Sequence, residues 1–314
     1  MRTAILSDIH GNYPALLKVL EDARMEQVDQ FIFLGDYFMD FPYSNEVVQT
    51  LMGMENAYII KGNKEAYMRH YRRVDPEKMK YDQVANLYHC VGELTQASYD
   101  FLNNLPEEMY IQLSPNTRIY ATHVSPIYEK PPTGPPLHKC CRNFSFHQAM
   151  LEKPFTHAEF LEDFRQFVNS DTCRPYIQGI DANVILYAHN HMQSYAYCGD
   201  KLIINPGSCG VAMDFDNRSA YTLLEETKNG LQVIEKKVAY DIEAVIAYTK
   251  ASPLYEKSPV WHELIFLDLR LARSHATFLM DIVREIAADK NESGEFFSNE
   301  TWAEAGARFF CGKP

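Results

Sequence analysis

Five short segments of the chain combine carboxylate, imidazole and carboxamide side chains at spacings that could hold metal ions. Asp8 and His10 are separated by one residue, as are His189 and His191; Asp36 and Asn63 each follow a glycine, and His123 stands alone. Residues two apart on an extended segment face the same way, so Asp8 and His10 are expected to converge on one ion and His189 and His191 to face one way. Carboxylate and amide oxygens with imidazole nitrogens suit manganese, iron or zinc and disfavour copper. No cysteine belongs to the set, which argues against a closed structural zinc site. Each pair has a bland reading: Asp8-x-His10 as a cap or surface turn, His189-x-His191 as histidines satisfying core hydrogen bonds. Seven such residues are too many for one catalytic ion that must keep an open position, and enough for two ions bridged by one carboxylate.

These residues need elements to position them. Apolar or β-branched runs at 3–7, 31–34, 57–60, 119–122, 184–188 and 202–204 have the length of buried strands. The first five each lead into one of the candidate segments, so the ligands are expected at one edge of a single sheet. Leu16, Leu17, Leu20 and Ala23 recur at helical spacing over 13–26, and a second helix is expected over 44–52 with Ser44 as its N-cap. The alternation predicts an α/β core to about residue 240.

Two stretches interrupt that rhythm. Residues 65–106 read as helices over 81–91 and 94–105, the latter stopped by Pro106. Residues 125–179 open with Pro131, Pro132, Gly134, Pro135 and Pro136 and regain a helical pattern near 155–168. Both follow polar strand ends, where α/β proteins place ligand-binding loops, and both read as cap insertions over the site. Beyond Val238 the chain turns helical. Leu264, Leu267, Leu271, Phe278, Leu279, Ile282 and Ile286 predict one long amphipathic helix, which either packs on the chain's own core or forms a homo-oligomer interface. The expected division is therefore 1–240, carrying the insertions, and a helical extension at 241–314.

Composition bounds the function. Hydrophobic residues make up 46% and charged residues 23% of the 314, as in a globular protein. No apolar run reaches the roughly 18 residues of a membrane span, and the N-terminal apolar stretch is too short for a signal-peptide core. The seven cysteines are odd in number and form no CxxC pair, which fits a reducing compartment. A cytoplasmic location is expected. The net charge of −12 argues against general nucleic-acid binding, while a small anionic substrate is compatible with metal ions that reverse the local field.

The segments Ser7-Asp8-Ile9-His10-Gly11-Asn12, Gly35-Asp36, Gly62-Asn63-Lys64-Glu65, His123 and His189-Asn190-His191 resemble the signature blocks of the calcineurin-like metallophosphoesterases. Asn205-Pro206-Gly207-Ser208 is similar to a block of the family's bacterial phosphodiesterase branch, and the resemblance covers about residues 1–240. It implies a β-sandwich flanked by helices. It also implies two divalent ions (Mn, Fe or Zn): Asp8, His10 and His191 on one, Asn63, His123 and His189 on the other, and Asp36 bridging both. The implied activity is hydrolysis of a phosphodiester or nucleotide-type substrate by a hydroxide held at the ions. A serine/threonine protein phosphatase is the alternative, and a non-catalytic scaffold of the same fold a third. His10, Asn63 and Lys64 are the candidate catalytic residues. Lys64 stands where the family commonly has a histidine that serves the leaving group, so it is expected to act as a fixed positive charge on phosphate. His138 and His147 are candidates for the leaving-group acid.

Overall fold

The computed structural model describes residues 1–73, 81–124, 156–171, 173–294 and 296–311. The opening runs are buried on both faces, which makes them strands of a parallel core. β1 (Arg2–Leu6), α1 (Tyr13–Met25), β2 (Gln30–Phe33), α2 (Ser44–Met52) and β3 (Ala57–Ile59) form two successive strand–helix–strand units. β1 pairs parallel with β2, and β2 with β3. Three helices follow: α3 (Asn63–Arg73), α4 (Asp82–Glu93) and α5 (Gln96–Asn104). The second half supplies β4 (Glu108–Ser114), β5 (Thr117–Thr122), α6 (His157–Val168), α7 (Arg174–Gly179), β6 (Val184–Leu186), β7 (Ser194–Cys198) and β8 (Lys201–Asn205). The long hairpin β9 (Ser219–Thr227) and β10 (Gly230–Val238) then returns to the first sheet.

The strands form two five-stranded mixed sheets, ordered β10-β9-β1-β2-β3 and β4-β5-β6-β8-β7. Side chains alternate along each strand, so one strand serves two layers. Ile5 of β1 joins Ile32, Ile119, Val184, Leu186 and Ile204 in the core between the sheets. Ala4 and Leu6 face outward onto Leu16, Val19 and Leu20 of α1. On the far side Ile185, Tyr187 and Ile203 pack against Phe164, Phe167 and Val168 of α6. The result is a β-sandwich with helices on both outer faces, as the resemblance implies.

Several expectations change. The candidate residues follow strands of two sheets rather than one: Asp8, Asp36 and Asn63 come after β1, β2 and β3, and His123 and His189 after β5 and β6. Ser44 is the first residue of α2 and Tyr43 occupies its cap position; the Ser44 hydroxyl instead accepts from the Met39 N–H at 3.4 Å. Residues 65–106 contribute Met68, Leu87, Cys90, Val91, Leu94 and Leu102 to the outer core of the first sheet.

The expected long C-terminal helix is broken in two. After α8 (Ile242–Lys250) and α9 (Pro253–Lys257) come α10 (Pro259–Leu271), α11 (Ala276–Asp289) and α12 (Asn299–Cys311). Ala272 takes a left-handed conformation (φ 50°) and ends α10. Asp268 Oδ1 accepts the His275 backbone N–H at 3.1 Å and lies 2.5 Å from His275 Nδ1, which fixes the reversal. Much of the apolar face packs within the chain, with Leu264, Leu279, Val283 and Ile286 around Trp302 and Phe309 of α12, while Leu271 is exposed. Among the described residues no helix is long and apolar enough to cross a membrane.

Candidate metal centre

The loops that carry the candidate residues are not extended. β1 ends at Leu6, and Asp8 and His10 both adopt positive φ (53° and 54°). Asp36, His189 and His191 do the same at 56°, 73° and 59°. Left-handed backbone is uncommon for residues with a Cβ, although Asp and His tolerate it better than most, and it clusters at functional sites. Asp8 and His10 converge through this local twist, which corrects the expectation of an extended pleat, whereas His189 and His191 turn to different donor groups, which corrects the expectation that they face one way. Two glycines permit the packing of these loops. A Cβ on Gly62 would press into the Asp36 carboxylate and backbone, and one on Gly35 would come within 2.8 Å of His123 Nδ1. These glycines therefore let the loops after β2 and β3 approach each other and His123.

Donor atoms of Asp8, His10 and His191 lie within 4.8 Å of one another, and those of Asp36, His123 and His189 form a second such group. Asp36 reaches both, with Oδ2 3.8 Å from His10 Nε2 and Oδ1 3.5 Å from His123 Nε2. Asp8 Oδ1 is 3.3 Å from His191 Nε2, and Asn63 Oδ1 is 2.9 Å from His123 Nε2. All seven predicted residues are thus brought together; His138 and His147 lie outside the described residues.

The imidazoles are oriented from behind. His123 Nδ1 is 2.6 Å from the Leu34 carbonyl, His191 Nδ1 is 2.7 Å from that of Val211, and His10 Nδ1 is 2.8 Å from Asp40 Oδ2. With those Nδ1 atoms protonated and held, the Nε2 edges face the shared space, the usual arrangement behind a metal-ligating histidine. Asp8 Oδ1 and both ring nitrogens of His10 are buried without an aligned hydrogen bond, the 2.8 Å approach of Nδ1 to Asp40 being an ion-pair contact; a cation would relieve Asp8 Oδ1 and His10 Nε2. The donor set therefore fits divalent ions.

Charge tells the same story. Burial opposes ionisation of Asp8, but His191 and His123 outweigh it and hold its carboxyl at about 2. Burial likewise opposes Asp36, which His123 and Lys64 keep well below the usual carboxylate range. His123 rises to about 9 against its burial because Asp36 and Asp8 favour the imidazolium, while burial and the His123 charge push His189 down to about 4. In the metal-free protein, protons on imidazole supply the positive charge the carboxylates demand, a role divalent ions can take over. Burial also opposes the Lys64 ammonium, yet Asp36 and Asp40 raise its pKa above the ordinary lysine value, so it is charged.

Sequence reasoning missed the supporting residues. Glu65 is 2% exposed and accepts the backbone N–H groups of Asp36, Tyr37 and Gly62 at 2.7–2.9 Å, clamping the Asp36 loop to the start of α3. Its place in the Gly62–Glu65 block was the available signal. The Asn205–Ser208 block ties the other loops: Asn205 Nδ2 donates to Asn190 Oδ1 at 2.7 Å, and Ser208 Oγ donates to the Asp8 carbonyl at 2.8 Å. A cavity of about 130 Å³ opens beside the centre. Its floor includes His10, Asp36, Lys64, His189 and His191, and its far wall is Trp261, Ile265 and Asp268 of α10 with Ser274 and Ala276. The C-terminal helices therefore wall the site.

Comparisons with known proteins agree with this geometry. The calcineurin-like phosphoesterase family model matches residues 1–193. An uncharacterised protein of Methanocaldococcus jannaschii, MJ0912, is 24% identical over 265 residues, covering 84% of this chain and 97% of its own length. The crystal structure of a metallophosphoesterase from Sphaerobacter thermophilus is similar at a TM-score of 0.58 and 20% identity, covering 87% of this chain and 99% of that one. That of hypothetical protein PH1004 from Pyrococcus horikoshii OT3 is similar at 0.59 and 18% identity, with the same coverage. With the family model spanning more than half of the chain and the sandwich carrying its charged centre, the chain belongs to the calcineurin-like phosphoesterase family, metal-dependent hydrolases of phosphate esters.

Proposed function

We propose that the chain hydrolyses a small phosphodiester or nucleotide-type substrate at a dinuclear centre, with Asp8, His10 and His191 on one ion, Asn63, His123 and His189 on the other, and Asp36 between them. The observation that carries this reading is the position of Asp36, within 3.8 Å of an imidazole Nε2 in each group. Divalent ions bound there supply an activated water and charge neutralisation for the phosphoryl group. Lys64, half-buried at the cavity floor and charged, binds a non-bridging phosphate oxygen. The wall formed by Trp261, Ile265, Val211 and Met213 receives the organic part of the ester in the cavity beside the centre.

We further infer a helical extension at 241–314 attached to a catalytic unit at 1–240 that carries cap insertions near 65–106 and 125–179. A reducing, cytoplasmic setting is supported by the five described cysteines, all of them free.

The test pairs metal analysis with a substrate panel on one preparation. Two equivalents of Mn, Fe or Zn, with turnover of bis-p-nitrophenyl phosphate or dinucleotides and none of phosphopeptides, is the expected result. Asp36→Ala should lose both the second equivalent and turnover. Preference for phosphopeptides would replace the substrate reading with a protein phosphatase, and metal-dependent activity in Asp36→Ala would remove the bridge.

A further inference from the structure

Asp40, the carboxylate behind His10, is not itself a candidate ligand, yet it is 3% exposed, carries a positive φ (71°) and stands against the metal centre. A buried carboxylate in strained backbone requires compensation, and three partners provide it. Asp40 Oδ2 lies 2.8 Å from His10 Nδ1. Asp40 Oδ1 accepts from Trp261 Nε1 at 2.8 Å and from Asn86 Nδ2 at 3.1 Å. The Phe41 N–H donates to the His10 carbonyl at 3.1 Å, so the Asp40 loop is hydrogen-bonded to the backbone of His10 and in ion-pair contact with its ring.

The other two held imidazoles rest on backbone carbonyls, those of Leu34 and Val211. Of these three, His10 alone has its back nitrogen beside a side chain, and that side chain is itself aimed by donors from α4 and α10. We propose that Asp40 is a positioning residue that fixes His10 with Nδ1 protonated and Nε2 turned to the centre, and that Trp261 of the C-terminal helices sets Asp40. The inference rests on the metal-binding reading above. It makes α10, beyond the stretch matched by the family model, a determinant of metal retention in the group of Asp8, His10 and His191.

The test uses the full chain freed of metal with a chelator and titrated with Mn²⁺. His10→Ala identifies which binding step belongs to its group. Asp40→Ala should weaken that same step by about 10–100-fold and leave the other step unchanged. Asp40→Asn, whose amide oxygen still accepts, should recover part of the loss, and Trp261→Phe should give a smaller loss in the same step. A readout independent of metal is the ¹⁵N spectrum of the histidines. The His10 signal should report Nδ1–H in the wild type and shift toward mixed tautomers in Asp40→Ala. Two binding steps falling together, or an unchanged step and tautomer in folded Asp40→Ala, would overturn the proposal. A wild-type chain that takes up no Mn²⁺ but keeps the Asp40-dependent tautomer would remove the metal reading and retain only the orienting role.

Discussion

At the scale of single residues, Lys64 separates binding of metal from binding of substrate. Its backbone N–H donates to Asp36 Oδ1 at 2.9 Å whatever side chain it carries, so substitution should leave the centre assembled. Lys64→Met should keep full metal content and lower kcat/KM by about 100-fold, as loss of one charge-stabilising donor does elsewhere. Lys64→Arg, which keeps the charge, should recover much of that. Equal activity in both variants would show that the ammonium does not meet phosphate. Gly62→Ala is the opposite case. The new methyl would collide with the Asp36 carboxylate, so metal content should fall together with activity. An alanine variant with normal metal content would mean the loop can shift freely. The seven candidate ligands were legible in the sequence because each closely follows an apolar strand. Asp40 was not, since Trp261 lies 221 positions away and nothing local in the sequence joins them.

At the scale of elements, legibility followed burial. β1, β2, β5, β6 and β8 read as apolar runs because they lie inside their sheets, and the edge strand β3 reads so through its apolar composition (Ala57, Tyr58, Ile59). β4, β7 and β10 lie at sheet edges with polar or exposed residues interleaved, and β9 carries Ser and Thr among its apolar residues, with Ser219 Oγ donating to the Cys209 carbonyl. The break after α10 was hidden because the apolar spacing continues across it, while the reversal depends on a contact between Asp268 and His275. A related device joins α11 to α12. Glu292 accepts from Ser298 Oγ, Thr301 Oγ1 and the Ser298 N–H, and these hydrogen bonds hold its carboxyl at about 2. A folded pKa below the unfolded value of 4.5 stabilises the fold above pH 4.5 and loses that contribution as pH falls through 2. Acid titration followed by tryptophan fluorescence should show docking of α12, which carries Trp302, weakening across that window. Glu292→Gln should be less stable at neutral pH and lack that part of the pH dependence; identical profiles would deny the carboxylate its role.

At the scale of the whole molecule, the centre concentrates buried charge in a chain of net charge −12. Ions that bind only the folded state add stability by mass action, about 2.7 kcal/mol for each site held at 100 times its dissociation constant. Chelation should therefore lower the melting temperature by several degrees, and Mn²⁺ should restore it. No change in melting temperature on chelation would mean that ions contribute nothing to the fold. The overall sandwich was legible through the resemblance of the motif blocks. The wall built by α10 and α11 was not, because their sequence carries only the pattern of a helix that buries one face.

Each donor group draws on both halves of the sandwich: Asp8 and His10 with His191 in one, Asp36 with His123 and His189 in the other. Neither half could assemble a complete coordination sphere by itself. A bound cation would thus act as a rivet across the seam, and the rate at which it escapes would register how often the two halves part at that end.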